Sequence, residues 1–374
     1  MRLLATTSAI ALGLVVGLAN GADARDLRIA PGVPPAHPAT SHLYSGLVEY
    51  LPEESGGALT ASILGPEVVG LLQMRDALTT GLADVGNLLP LYYPAELPNM
   101  ALAGELALSG LNPHAVAAAI TEYTVTCDTC QQEMADLGVV FLGAGSSDPY
   151  VLLTNQPVHT AADVQGLRFR SGGAPFSRWA DHFGAVPVNI GVGETFEAMS
   201  QGTIDGSMAS IGDLLSFRLI DLTTHVTRVP LGSYFATSNF TTSADLWADL
   251  TVEERGALMR AANRANADFT YRWGYDFPEV AQAAAEEAGI EFIDADAAFV
   301  QAAEELAVAD RDTAAQLSQE RFGMDDAAER IAYFLELVEK WEAINAEVGD
   351  DPAAMAQATY DEIWSKVDLS SYGL

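Results

Sequence analysis

The sequence predicts an α/β protein of two similar lobes, and three observations lead there. Short strand-like runs alternate with helical spacing through the first half of the chain. A weak internal repeat recurs, with Ala77 to Gly86 echoed by Ala198 to Ser207. A chain of 374 residues also exceeds what one ordinary hydrophobic core organises.

The N-terminus carries a single basic residue, Arg2, then an almost uncharged apolar run from Leu3 to Leu18 and the small-residue run Ala22-Asp23-Ala24. That order is the signature of a secretory signal peptide, here spanning residues 1–24 with cleavage expected after Ala24. A membrane anchor is the alternative, but Thr6, Thr7 and Ser8 interrupt the run and no basic stop-transfer flank follows. No cysteine precedes Cys127, which excludes the lipid-modified form of such a signal. No later window has the roughly 18 uninterrupted apolar residues of a spanning helix, so the mature chain is expected to be exported, soluble and free of direct membrane insertion.

Leu27 to Ala30 alternates as a short first strand that ends in the proline-rich loop Pro31 to Pro38. Leu43, Leu47, Val48 and Leu51 fall at helical spacing after it. Leu59 to Leu64 is a second strand, and Val68 to Thr80 again has helical spacing. In both copies of the repeat an apolar helix should stop at a glycine, Gly81 or Gly202, whose left-handed closing conformation costs little. An aspartate, Asp84 or Asp205, and a short strand then follow. Thr251-Val-Glu-Glu254 has capping-box spacing and should start a long helix. Ile331, Phe334, Leu335, Val338 and Trp341 mark another helix, closed by Gly349 and Pro352.

The expected division is residues 25–147 with about 230–250 as lobe one, and 148–229 with about 251–330 as lobe two and a connecting helix. Residues 331–374 form a C-terminal helical region.

The formal net charge of −33 makes nucleic acid and anionic lipid surfaces poor partners. It reads as a solvated surface and says nothing about a ligand. Cys127-Asp-Thr-Cys130 holds the only cysteines, and in an exported chain the plain reading is a local disulfide. A thiol-exchange site would need a thioredoxin-like βαβ context, and zinc would need two further ligands.

Catalytic spacings are missing: there is no G-x-S-x-G, H-E-x-x-H or G-x-x-x-x-G-K. Gly191-Val-Gly193 and Gly143-Ala-Gly145 begin like dinucleotide fingerprints, but Phe196 and Asp148 occupy the place of the third glycine. The six histidines never pair at metal-binding spacing. Neither enzyme activity, cofactor nor metal is expected.

One stretch does carry chemistry, Asp163-Val-Gln-Gly-Leu-Arg168-Phe-Arg170-Ser-Gly-Gly173. In a strand, Leu167 and Phe169 share one face and both arginines the other. Arg170 then stands at the carboxyl end of that strand, where open α/β sheets keep their ligand crevice. A guanidinium there binds a carboxylate through two parallel charge-assisted hydrogen bonds. Loops after the other strands would bring His37, Tyr92, Tyr150 and Ser210 towards the same cleft, and tyrosine offers both an apolar face and a hydroxyl.

Asp163-x-x-Gly166-Leu-Arg-Phe-Arg170, Phe183-Gly184-Ala185-x-Pro187, Glu194-x-Phe196-x-Ala198, Gly202-x-x-Asp205-Gly206 and Ser216-Phe217 together resemble the extracytoplasmic solute-binding subunits of TRAP transporters, of the dicarboxylate-receptor type. The resemblance implies a periplasmic-binding-protein clamshell with mixed sheets and a long lobe-spanning helix. It also implies a periplasmic receptor that captures a small organic anion, a carboxylate or sulfonate, and delivers it to TRAP-type membrane permease subunits. The family's carboxylate-anchoring arginine falls on Arg170. The chain departs from many relatives at Ala209, where they have asparagine, at Tyr150, where some have a second arginine, and at Val192, where an aromatic is usual. A binding subunit of an ABC-type importer or a sensor is the near alternative. A periplasmic thiol oxidoreductase using Cys127 and Cys130 is the distant one.

Overall fold

A computed structural model describes residues 24–374, so the expected signal peptide, apart from Ala24, lies outside the described residues. The eleven strands among the described residues form two sheets. The first contains β1 (Arg25–Ala30), β2 (Leu59–Ile63), β3 (Val85–Gly86), β4 (Val139–Pro149) and, from late in the chain, β10 (Ser233–Ser243), in the order β2-β1-β3-β10-β4. The second contains β5 (Val151–Thr154), β6 (Arg168–Arg170), β7 (Val186–Val188), β8 (Gly206–Ala209), β9 (His225–Arg228) and β11 (Glu291–Asp294), in the order β11-β9-β5-β8-β6-β7. Both sheets are mixed. β1 pairs in parallel with β2 and β3 while β10 runs antiparallel to β3 and β4, and β6 pairs in parallel with β7 and β8 while β5 opposes β8 and β9.

The chain crosses between the sheets on strands that run almost without interruption from one to the other. Only Tyr150 separates β4 from β5, and residues 229–232 lead from β9 into β10. The helix Ala297–Phe322 straddles both halves. Its 26 residues reach about 39 Å at 1.5 Å per residue. Near its start Phe299 meets Trp179 and Phe183 of the second-sheet core, with ring centroids 5.8 and 5.1 Å apart. Its later turns pack on the helix Ala327–Val348.

The repeat is a structural one, and the residues explain why. After the helix Met74–Thr79 the chain turns at Gly81 with φ 71°, and after Thr195–Ser200 it turns at Gly202 with φ 66°. Each glycine adopts the left-handed region at little cost. The following aspartate then grips an arginine on the neighbouring strand. Asp84 accepts from the backbone N–H, Nε and Nη2 of Arg28 at 2.7, 3.0 and 2.9 Å. Asp205 accepts from the same three atoms of Arg168 at 2.9, 2.9 and 2.7 Å. In register, Ala30 lies opposite Gly86 and Arg170 opposite Ser207. Arg170 is therefore the second lobe's counterpart of Ala30.

Three expectations change. Val68 to Thr80 is not one helix but a surface loop, a short 3-10 turn Leu71–Gln73 and the helix Met74–Thr79. Val68 and Leu72 stay half exposed, so only one turn of the apolar spacing is core. Pro352 does not close the preceding helix, which stops at Gly349. It opens the helix Pro352–Glu362 behind an Asp351 cap, where its missing N–H is no loss. Within the stretch expected in lobe two, the helix Val252–Tyr271 packs instead on Ser45–Glu54, β4 and Pro352–Glu362 beside the first sheet. Small residues make that approach possible, with Gly46 facing Ala265.

Cys127 and Cys130 are joined in a disulfide. Cys127 caps the helix Asp128–Leu137 and follows directly on the helix Pro113–Thr126. The bridge thus tightens a helix–helix corner, not the strand-to-helix turn of a thiol-exchange site.

Candidate functional site

Arg170 ends β6 with its side chain turned into the space between the sheets. It is 4% exposed, and among the described residues it takes part in no ion pair within 4.0 Å. Its one protein hydrogen bond runs from Nε to the Ile190 carbonyl oxygen, a long 3.4 Å. The other N–H groups of the fork have no hydrogen-bond partner among the described residues. Gly172 makes room for them, because a Cβ at that position would stand 2.8 Å from Nη1 and 3.2 Å from Cζ. The Ser-Gly-Gly turn after β6 thus lets backbone and guanidinium lie in contact. A buried cation without a partner is costly to hold, and an anion in contact with it recovers that cost.

Arg170 faces a small, partly open cavity between the two sheets. Val33, His37, Ala39, Leu71, Asn87, Leu89 and Tyr92 line it from the first sheet's loops. Tyr150, Tyr234 and Asn239 come from the crossing strands, Phe269 and Trp273 from the long helical stretch, and Arg170, Val192, Asp213 and Phe217 from the second sheet's side. The aromatics support one another. Tyr150 stacks between Phe176 and Tyr234 at 4.9 and 6.0 Å, and Phe269 stacks on Trp273 at 5.1 Å. The His37 ring meets Phe217 at 5.6 Å and Trp273 at 5.4 Å, so it closes contact across the cleft.

Protonation follows from burial. Desolvation lowers the His37 imidazole to about 3, so it is neutral, and its Nδ1 accepts from the Ala39 N–H at 3.0 Å. The ring proton therefore sits on Nε2 as a donor. Burial pushes the Asp213 carboxyl up to about 7 against the pull of Arg170. Burial likewise raises Asp148 to about 8, opposed by hydrogen bonds from the Ser210 hydroxyl and the Ile211 N–H. The Tyr150 and Tyr234 hydroxyls are driven well above their ordinary range, also by burial.

Of the residues picked out by sequence, the structure brings Arg170, His37, Tyr92 and Tyr150 to one cavity. Ser210 stands outside the lining. Its hydroxyl donates to Asp148 and accepts from the Gly212 N–H, which fixes the turn after β8. Sequence reasoning missed Asn87, Asp213, Asn239, Phe269 and Trp273. Asn87 comes directly after β3, as Ser210 comes directly after β8, so its place at a strand's carboxyl end could have found it. Nothing in the sequence distinguished Asp213 among 51 acidic residues.

Chemically the site offers one fork of N–H donors, two further donors at His37 Nε2 and Trp273 Nε1, and walls of aromatic rings. That combination suits a small acid with a flat or apolar body. Among the described residues no group of three or more His, Cys, Asp or Glu is placed to hold a metal ion, and no helix is long and apolar enough to cross a membrane.

Residues 31–315 match the family model of the bacterial extracellular solute-binding proteins, family 7. Several solved structures are similar over nearly their whole length. A TRAP periplasmic solute-binding protein from Bordetella bronchiseptica, with bound (R)- and (S)-mandelate, is 24% identical with a TM-score of 0.72, covering 84% of this chain and 99% of that one. A marine metagenome TRAP solute-binding protein specific for aromatic acid ligands, in complex with 3-hydroxybenzoate, is 20% identical with a TM-score of 0.76, covering 86% of this chain and 100% of that one. A TRAP solute-binding protein from Rhodoferax ferrireducens, with copurified benzoate, is 19% identical with a TM-score of 0.74, covering 85% of this chain and 99% of that one. At these identities the likeness is one of fold.

Proposed function

The chain belongs to the bacterial extracellular solute-binding proteins of family 7, and from that premise we propose that it captures a small aromatic carboxylate in the periplasm and hands it to the membrane subunits of a TRAP-type importer. The observation that carries the reading is Arg170, a buried cation in no described ion pair, facing an aromatic cavity between two sheets. The ligand carboxylate takes the guanidinium fork. The ring lies among Tyr92, Tyr150, Tyr234, Phe217 and Trp273. The aromatic acids bound by the mandelate, hydroxybenzoate and benzoate receptors of the same fold support that choice over a simple dicarboxylate. So does Tyr150, which fills with an aromatic ring the place where some relatives carry a second arginine.

Closure around the solute would press the two halves together, since Leu71 from one side and Val192 from the other line the same cavity. A membrane partner that binds only the closed form then selects loaded receptors. Catalysis plays no part in this role. The test is a thermal-shift and calorimetric screen of the purified protein against aromatic carboxylates, aliphatic dicarboxylates, sulfonates, amino acids and neutral sugars. The reading expects the aromatic carboxylates to give the largest shifts. A neutral sugar or a cation binding more tightly than every acid would overturn it.

A further inference from the structure

The cavity's polar groups are unevenly matched to a bare carboxylate. Its donors, the Arg170 fork, Trp273 Nε1 and His37 Nε2, are what a carboxylate needs. Its acceptors are not. Asn87 is 4% exposed and its amide nitrogen donates to the Pro31 carbonyl oxygen at 3.2 Å, which fixes Oδ1 as the free atom, and that oxygen is buried without a partner. Asp213 is 3% exposed, and its Oδ1 is also buried without a partner. Asn239, 1% exposed, leaves its Oδ1 unpaired as well. All three residues line the Arg170 cavity. Buried acceptors are nearly always paired in folded proteins, so three that line one cavity are suited to take donors from a solute held there.

We propose that Asp213 and Asn87, with Asn239 beside them, make this receptor selective for acids that carry a hydrogen-bond donor of their own, a hydroxyl or an N–H, in addition to the carboxylate. The proposal rests on the Arg170 cavity being the solute site, and it adds what the rest of the solute must present. An acid without a donor can satisfy Arg170, His37 and Trp273 but leaves the Asn87 and Asp213 oxygens facing carbon. An acid with one hydroxyl or N–H pairs at least one of them. The argument holds for either protonation state of Asp213, because a neutral carboxyl keeps an acceptor oxygen. Each buried acceptor left unpaired weakens binding by about 5- to 150-fold.

Matched acids test it: 3-hydroxybenzoate against benzoate, mandelate against phenylacetate, and pyroglutamate against cyclopentanecarboxylate. Dissociation constants for the full purified protein are measured by calorimetry, with Asp213→Ala, Asn87→Ala and Arg170→Ala alongside. The expected result is that the donor-bearing member binds about tenfold tighter or more in the best-binding pair. Asp213→Ala or Asn87→Ala should then bring the ratio towards one by weakening only that member. Equal affinities within twofold in every pair overturn the proposal, and so does a ratio that neither variant changes. If a variant does not fold, the wild-type ratio decides. Arg170→Ala separates the two levels: loss of both members of a pair supports the anion site whatever the ratio, whereas undiminished binding removes the solute-site reading itself.

Discussion

Replacing Arg170 with alanine should separate binding from stability, because the free protein uses this side chain so little. Its guanidinium makes one long hydrogen bond, 3.4 Å to the Ile190 carbonyl oxygen, and enters no described ion pair. Deleting it removes a buried cation that no described ion pair holds, together with its attraction for Asp213. The unliganded variant should still fold, with a stability loss inside the range of about 0.5–3 kcal/mol usual for single substitutions. The bound state depends on it far more. Truncating one partner of a buried ion pair costs about 3–5 kcal/mol, which weakens the ligand by roughly 10²- to 10³-fold or more. At a ligand concentration of 100 times the wild-type Kd, the wild type gains about 2.7 kcal/mol of stability. A variant bound a thousandfold more weakly gains under about 0.1 kcal/mol, so its thermal shift disappears. The assay is differential scanning fluorimetry with the best acid from the screen, checked by calorimetry. A folded Arg170→Ala protein with an unchanged Kd would refute the anchor. A large drop in the unliganded melting temperature would show that the arginine is structural.

Three further outcomes are expected. Gly172→Ala should weaken acid binding by about tenfold or more with little loss of stability, because its Cβ would stand 2.8 Å from Arg170 Nη1 and displace the fork; unchanged affinity in calorimetry would count against it. Raising the pH should destabilise the fold: burial lifts Asp148 to about 8 and Asp213 to about 7, well above an unfolded aspartate near 4. The native state then holds protons that the unfolded chain has lost, so this stabilisation is complete below about pH 4 and is lost as pH rises through about 8. Urea unfolding of the wild type and Asp148→Asn between pH 5 and 9 checks this, and equal slopes for both would exclude Asp148. The double variant Cys127→Ser, Cys130→Ser should lose about 2 kcal/mol or less, since so short a loop restrains the unfolded chain little, and should bind acids as the wild type does; lost binding would tie the bridge to the site.

Much of the architecture was written locally. Period-two and period-3.6 spacing record which face of an element is buried, so β1, β2 and the helices at Ser45 and Val252 follow directly from it. The repeat was legible because a left-handed glycine and an aspartate gripping an arginine are demands of the turn itself. Arg170 was legible for a related reason: strand alternation and the Ser-Gly-Gly stop place it at a carboxyl end. His37, Tyr92 and Tyr150 were readable as loop residues near such ends.

Periodicity does not record which other surface a buried face meets. Spacing thus gave no sign that the helix Val252–Tyr271 packs beside the first sheet, and Ser210, placed in the right turn, spends its hydroxyl on Asp148. Phe269 and Trp273 carried no signal of their own, because an aromatic that lines a cavity and one that fills a core are the same residue type in a sequence. Asn87, Asp213 and Trp273 meet Arg170 only after strands far apart in sequence cross between the sheets. The sequence thus determined two α/β lobes and one arginine at a strand's carboxyl end by itself. The tertiary structure alone decided which acceptors share that arginine's cavity, because pairing between distant segments is set by the packing of the whole chain.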